Sequence, residues 1–238
     1  MKKQIKKVEA IFISDVHLGS RGSDAASLHN MLKEYEPKNL FIVGDFIDGW
    51  LLKKRHYWHN DYTLVIRKIL SYAKKGTNVI YVTGNHDEFL RQYSPTDFGE
   101  NIKIVDEYIW QDYYITHGDL YDGVVNLRWL GILGSVGYEI AINLDRGMKF
   151  FGYKKSVSKW AKDKVKAAVK FVTAFESQLA FQAKKRDCVG VICGHIHKPE
   201  DKVVEGIHYL NCGDWIENNS YIVYEKNFKL EKYEKVRN

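Results

Sequence analysis

Five short apolar runs in this chain each end in a residue able to bind a metal ion, and that recurrence restricts the fold more than any other feature. The last run, Cys188-Val189-Gly190-Val191-Ile192-Cys193, leads into Gly194-His195-Ile196-His197. Near the start, Glu9-Ala10-Ile11-Phe12-Ile13-Ser14 leads into Asp15-Val16-His17, and Asn39-Leu40-Phe41-Ile42-Val43 into Gly44-Asp45-Phe46-Ile47-Asp48. Asn78-Val79-Ile80-Tyr81-Val82 delivers Gly84-Asn85-His86-Asp87. Tyr113-Tyr114-Ile115-Thr116, the second arm of a hairpin begun by Tyr108-Ile109-Trp110, delivers His117-Gly118-Asp119. Short runs of this kind read as buried strands. Polar residues past the carboxyl ends of such strands converge on one crevice in layered α/β proteins. A single His-x-His is more often packed or solvated than functional, but scattered core histidines would not occupy strand ends so regularly.

Helices are expected between the runs. Asp24 caps one, with Ala25, Leu28, Leu32 and Tyr35 facing inward, and a second spans roughly Tyr62 to Lys75. From residue 120 to 186 the pattern turns helical, with Val157, Ala161, Val165, Ala168 and Val172 on one stripe. Lys155, Lys159, Lys162, Lys166 and Lys170 fall on a different one. The expectation is one α/β domain over 1–238 with a helical cap inserted at 120–186. Tyr221–Tyr224 and Phe228–Leu230 extend a sheet at the end. No apolar stretch approaches the roughly 20 residues of a membrane-spanning helix, and three cysteines make no disulfide framework. A cytoplasmic protein is the reading. The net charge of +6 suits anionic partners, with nucleic acid, phospholipid and nucleotide all qualifying. Phosphate-loop and nucleophile-elbow motifs are absent.

Asp15, His17, Asp45, Asn85, His117, His195 and His197 offer oxygen and imidazole donors without a thiolate. Such a set suits Mn²⁺, Fe²⁺ or Zn²⁺ better than Ca²⁺ or a structural zinc. Seven donors exceed what one ion with an open position needs. Two divalent ions need a bridge, and Asp45, at the end of a central strand, is the natural one. His86 is then a proton donor on the open face, with Asp48 to orient it.

These five blocks, in this order, resemble those of the calcineurin-like metallophosphoesterases. The resemblance implies a four-layer α/β/β/α sandwich. It also implies one metal on Asp15, His17, Asp45 and His197 and a second on Asp45, Asn85, His117 and His195. Within that superfamily the chain looks most like the UDP-2,3-diacylglucosamine hydrolase group of lipid A synthesis. Its length, Trp50 after the second block, the cap before the fifth, and His197-Lys198-Pro199 carry that likeness. Such enzymes use Mn²⁺ to cleave the pyrophosphate of a lipid-linked UDP-sugar, giving UMP and a lipid sugar 1-phosphate. His86 stands where that group often has arginine. Another phosphodiester as substrate is therefore the alternative, and a non-catalytic scaffold of the same fold a remote one.

Substrate contacts are expected from Trp50, Arg128, Lys159, Lys162 and Lys166. Between Arg146 and Lys170 there are nine Lys or Arg and one acid, Asp163. Such a basic cap suits the inner-membrane surface and a lipid-linked nucleotide. No nucleic acid and no obligate protein partner are expected. Free cysteines Cys193 and Cys212 read as small buried residues.

Overall fold

The computed structural model describes residues 5–121 and 157–234. Within 157–168, only the side chain of Lys166 is described. By its contacts the chain divides into two compact units, 1–120 with 179–238, and 121–178.

Both sheets belong to the first unit. Strands β1 (Lys6–Ile13), β2 (Tyr35–Val43), β3 (Asn78–Val82) and β5 (Ile102–Val105) run parallel. With β4 (Thr96–Asp97), β11 (Ser220–Tyr224) and β12 (Phe228–Lys232) they form a seven-stranded sheet ordered β12-β11-β1-β2-β3-β5-β4. In the second sheet β6 (Glu107–Trp110), β7 (Tyr113–Thr116), β8 (Gly190–Cys193), β9 (Glu200–Val204) and β10 (Ile207–Asn211) take the order β6-β7-β8-β10-β9. There β7, β8 and β10 are parallel, and β6 and β9 close the edges antiparallel.

The period-2 geometry of a strand explains the continuous apolar runs. Along β1, Ala10 and Phe12 enter one core while Ile11 and Ile13 enter another. In β2, Phe41 and Val43 likewise oppose Leu40 and Ile42, and in β3 Ile80 and Val82 oppose Val79 and Tyr81. The core holding Phe12 and Phe41 also takes Ile115, Ile192 and Leu210 from the second sheet, so it lies between the sheets. Its centre is a stacked pair, Phe12 on Phe41, with ring centroids 4.6 Å apart. The other core joins the outer face of the first sheet to α1 (Ala25–Lys33) and α3 (Asn60–Lys74) through Leu28, Met31, Leu32, Val65 and Ile69. Asp24 caps α1 as expected, accepting from the Ser27 N–H.

The fourth layer comes from the end of α4 (Val157–Lys185) that belongs to the first unit, residues 179–185. In the first unit this helix buries Leu179, Ala180 and Ala183. Just beyond it the Arg186 guanidinium stacks over Tyr114 and reaches Glu107 at 2.8 Å, both on the second sheet. In the second unit Phe171 and Phe175 stack, and Lys166, Val169 and Lys170 are exposed. The layered α/β/β/α sandwich is therefore as expected. Among the described residues no helix is long and apolar enough to cross a membrane.

Some elements differ from the expectation. Tyr35 is buried but opens β2 instead of closing α1. A seven-residue helix, α2 (Gly49–Arg55), follows the second block, capped by Asp48 accepting from the Leu51 N–H at 2.9 Å. No side chain of α2 is buried, so it leaves no periodic apolar signal. The hairpin of β9 and β10 is also new. The sequence Glu200-Asp201-Lys202-Val203-Val204 is an edge strand with one side against solvent, and charge hides it.

Candidate metal centre

The strand ends converge. Asp15 and His17 follow β1, Asp45 follows β2, and Asn85 and His86 follow β3, all from the first sheet; His117 follows β7, and His195 and His197 follow β8, from the second. Three sets of donors each lie mutually within 4.8 Å: Asp15 with His17 and His197, Asp15 with Asp45 and His117, and His17 with Asp45 and His86. All of these side chains but His197 are buried.

Backbone strain concentrates here. Asp15, His17, Asp45, His195 and His197 have φ of 52°, 50°, 50°, 70° and 54°, a left-handed region that side chains with a Cβ rarely adopt. Such conformations persist only where surrounding contacts over-determine them. The neighbours are glycines for a related reason. At Gly44 a Cβ would collide with the His117 ring, and at Gly194 with Ser14 Oγ and Asp15 Oδ2. The two sheets thus approach each other through the glycines that flank the donors.

Several donors are already oriented. His117 Nδ1 lies 2.9 Å from the Val43 carbonyl, which places the proton on Nδ1 and turns Nε2 inward. Asp15 Oδ2 accepts from the His195 N–H at 3.0 Å and from Ser14 Oγ. Asp45 Oδ1 accepts from the His86 N–H at 2.7 Å, leaving Oδ2 facing His117 Nε2 at 3.4 Å, His86 Nε2 at 3.7 Å and His17 Nε2 at 3.8 Å. Asp48 Oδ2 stands between two rings, 3.0 Å from His86 Nδ1 and 3.4 Å from His17 Nδ1. Trp50 packs on His86 with centroids 4.4 Å apart. His195 and His117 rings lie 5.1 Å apart.

Six buried side-chain atoms have no hydrogen-bond partner among the described residues, and four of them are here: Asp15 Oδ1, Asn85 Oδ1, His86 Nδ1 and His117 Nε2. The His86–Asp48 approach is close enough for an ion pair but off the line that a hydrogen bond requires. Unmet buried acceptors are costly, and a shared cation is the group that would meet several at once. The residues present therefore fit divalent cations. Electrostatics agree. Burial opposes charge on Asp15, yet the His197 and His117 imidazoles outweigh it and bring its carboxyl down to about 2. Asp45 goes further down by the same contest, chiefly through His117. Burial works against charge on His117 and His197 as well, but Asp45 and Asp15 raise the first well above the usual imidazole range, and Asp15 raises the second.

His86, read from sequence as a proton donor, is thus also within donor distance of Asp45 and His17. Arg128 lies outside the described residues, as do the side chains of Lys159 and Lys162. Two further acids support the centre. Asp87 is fully buried and accepts from the Phe46 N–H at 2.9 Å, the Tyr81 hydroxyl at 2.6 Å and the Gly84 N–H, stapling the second block to the third. Asp119 accepts from Arg91 at 2.7 Å, tying the fourth block to the segment after the third. An acid within or directly behind each block was the available signal.

Fold and site together define a layered α/β protein with a buried candidate cation centre. A family model described as calcineurin-like phosphoesterase matches residues 10–199, and the chain belongs to that family. A UDP-2,3-diacylglucosamine hydrolase of Porphyromonas gingivalis is 27% identical over 118 residues, which take in 45% of this chain and 45% of the relative. The match thus spans less than half the length of that relative. Among solved structures, vacuolar protein sorting 29 of Cryptosporidium parvum is similar over 96% of this chain and 92% of its own, at 13% identity and a TM-score of 0.49. A predicted phosphoesterase of Streptococcus pneumoniae covers 96% and 94%, at 14% identity and a TM-score of 0.43.

Proposed function

We propose that this chain is a hydrolase dependent on two divalent cations that cleaves the pyrophosphate of a lipid-linked nucleotide sugar, UDP-2,3-diacylglucosamine, to UMP and 2,3-diacylglucosamine 1-phosphate. The observation that carries the hydrolytic part is the convergence of Asp15, His17, Asp45, His117 and His197 with partnerless buried donors in their midst. The partial likeness to a UDP-2,3-diacylglucosamine hydrolase supports the substrate.

In this reading Asp15, His17, Asp45 and His197 hold one cation, and Asp45, Asn85, His117 and His195 the other. The imidazole-rich set favours Mn²⁺. Bound cations supply charge against the phosphoryl oxygens and make a water molecule more acidic. The side chains do the rest. Asp48 Oδ2 is the ion-pair partner of His86 Nδ1 at 3.0 Å, and the ring's Nε2, on the side of the cluster, passes a proton to the leaving oxygen. Asp48 also stabilises the imidazolium before the proton is given up. Trp50 fixes the ring from its other side. The basic segment with Lys159, Lys162 and Lys166, together with Arg128, meets anionic groups of substrate and inner membrane.

A substrate panel with Mn²⁺ tests this: UDP-2,3-diacylglucosamine, a CDP-lipid, a generic phosphodiester and single-stranded DNA. Release of UMP from the lipid-linked sugar alone is the expected result. Preferred cleavage of any other member overturns the substrate, and no cleavage of any overturns the hydrolase.

A further inference from the structure

Next to the fifth block runs a connection that contributes no expected ligand yet touches the block at both ends. It joins β10 to β11 and reads Asn211-Cys212-Gly213-Asp214-Trp215-Ile216-Glu217-Asn218-Asn219. Asp214 is buried. Its Oδ1 accepts from three successive N–H groups, Ile216 at 2.8 Å, Glu217 at 2.6 Å and Asn218 at 3.2 Å. Its Oδ2 accepts from the Asn218 side-chain amide. That carboxylate is saturated by its own turn.

Asn218 is what the turn presents. Its Nδ2 has two hydrogens; one goes to Asp214 Oδ2 and the other to the His197 carbonyl at 3.0 Å. Both partners are pure acceptors, so the amide can face them only with its nitrogen. On the same connection the Trp215 N–H donates to the Asp15 carbonyl at 3.1 Å. Asn211 Nδ2 donates to the Gly194 carbonyl at 2.9 Å, and Asn211 Oδ1 accepts from the Gly213 N–H at 2.9 Å. Three carbonyls of the first and fifth blocks are therefore pinned from one side. Two of them belong to Asp15 and His197, whose φ of 52° and 54° are conformations the chain does not hold unaided.

We infer that Asp214 and Asn218 are positioning residues for one of the two cation pockets, the one containing His197. The inference rests on the two-cation reading above. Asp214 builds the turn and aims the amide; Asn218 holds the His197 backbone in its left-handed conformation, which sets where the imidazole lies. The residues around His117 lean on other supports: the Val43 carbonyl for His117 itself, and Asp87 for the loops carrying Asp45 and Asn85. Loss of Asn218 should therefore be felt at one pocket and not at the other.

The test is a calorimetric titration of the full chain, stripped by chelator, with Mn²⁺. The unmutated chain should take up two equivalents. Asn218→Leu keeps the branching at Cγ, though it is bulkier, and removes both N–H donors; one equivalent should bind about tenfold more weakly, and the other within a factor of two of the unmutated chain. Asn218→Ser, which retains one donor, should fall between. Asp214→Asn, which weakens the turn and also removes a charge that acts on the His197 imidazole, should reproduce the one-site loss, and it serves if Asn218→Leu does not fold. Two equivalents unchanged in folded variants overturn the inference. Equal weakening of both equivalents also overturns it, since the turn would then be a general structural support. Fewer than two equivalents in the unmutated chain overturns the two-cation reading instead, and that failure is visible without any variant.

Discussion

Replacing Asp87 with Asn removes one acceptor from a carboxylate that serves three donors. In the native chain Oδ2 takes the Phe46 N–H at 2.9 Å and the Tyr81 hydroxyl at 2.6 Å, while Oδ1 takes the Gly84 N–H. An amide oxygen can stay on the first pair, but the amide nitrogen then faces the Gly84 N–H, donor against donor. Each buried donor left without a partner costs about 1–3 kcal/mol. With the Gly84 N–H and the new amide both stranded, Asp87→Asn should lose about 2–6 kcal/mol, a large share of a typical domain's 5–15 kcal/mol. Tyr81→Phe, which leaves the carboxylate its two N–H donors, should lose only about 1 kcal/mol. Urea denaturation in chelator measures both: the midpoint should fall with the slope unchanged. The competing possibility is that Asp87 is neutral, because burial and the Asp45 charge push its carboxyl up. A protonated Asp87 would turn the Tyr81 hydroxyl into an acceptor, and the amide nitrogen of Asn could donate to it there, though it could not accept the Phe46 N–H as a carboxyl oxygen does. A loss below about 0.5 kcal/mol for Asp87→Asn would therefore refute the ionised staple.

Chelation should abolish hydrolysis, with Mn²⁺ restoring it better than Mg²⁺; undiminished activity without bound metal contradicts the cation reading. Asp45→Ala should lose bound metal and turnover together, whereas His86→Ala should keep its metal and lose on the order of 10²–10⁴ in turnover. Metal analysis separates the two, and equal metal loss would make His86 a ligand. Changing Lys159, Lys162 and Lys166 to Ala together should cut turnover of a lipid substrate and weaken vesicle co-sedimentation, while a small soluble phosphodiester is cleaved as before; equal effects on both substrates refute the basic segment as lipid reader. In the chelated chain His117 and His197 are raised in the fold, so their contribution is full below the ordinary imidazole pKa of about 6.5 and lost as pH rises through the folded values. Thermal melting in chelator should therefore fall over that rise, and Mn²⁺ affinity should grow over it because binding displaces those protons; an affinity independent of pH there would contradict this.

What was legible in the sequence was whatever a strand's own geometry announces. Phe12 and Ile13 point to opposite cores, so β1 is apolar throughout, and the polarity of Asp15 and His17 marks its end. The same logic found His117 and His197. Helix α2 escaped because its cap, Asp48, was read for its chemistry and none of its residues is buried. Asp87 and Asn218 escaped for a different reason. Asp87 meets Phe46 from 41 positions away and Asn218 meets His197 from 21, and a hydrogen bond from side chain to distant backbone leaves no period in the chain. Of the five lysines expected on a basic stripe, Lys166 and Lys170 are exposed on α4, and the side chains of the other three lie outside the described residues.

The joining of the two sheets at the donors has a consequence for how the protein comes into being. Asp15 and His195 share a hydrogen bond across 180 residues, and His17 meets His197 across the same span. Contacts of such separation form late, after the loop between them has been closed. As the chain leaves the ribosome, β1, β2 and β3 emerge with Asp15, His17, Asp45 and Asn85, an acid-rich half-site without the imidazoles of β7 and β8. Its pockets have walls on one side only until Cys193 has been made and β8 has docked. A nascent chain therefore offers a cation only the His17, Asp45 and His86 side of the centre, and the order of synthesis leaves both pockets incomplete until the second sheet is made.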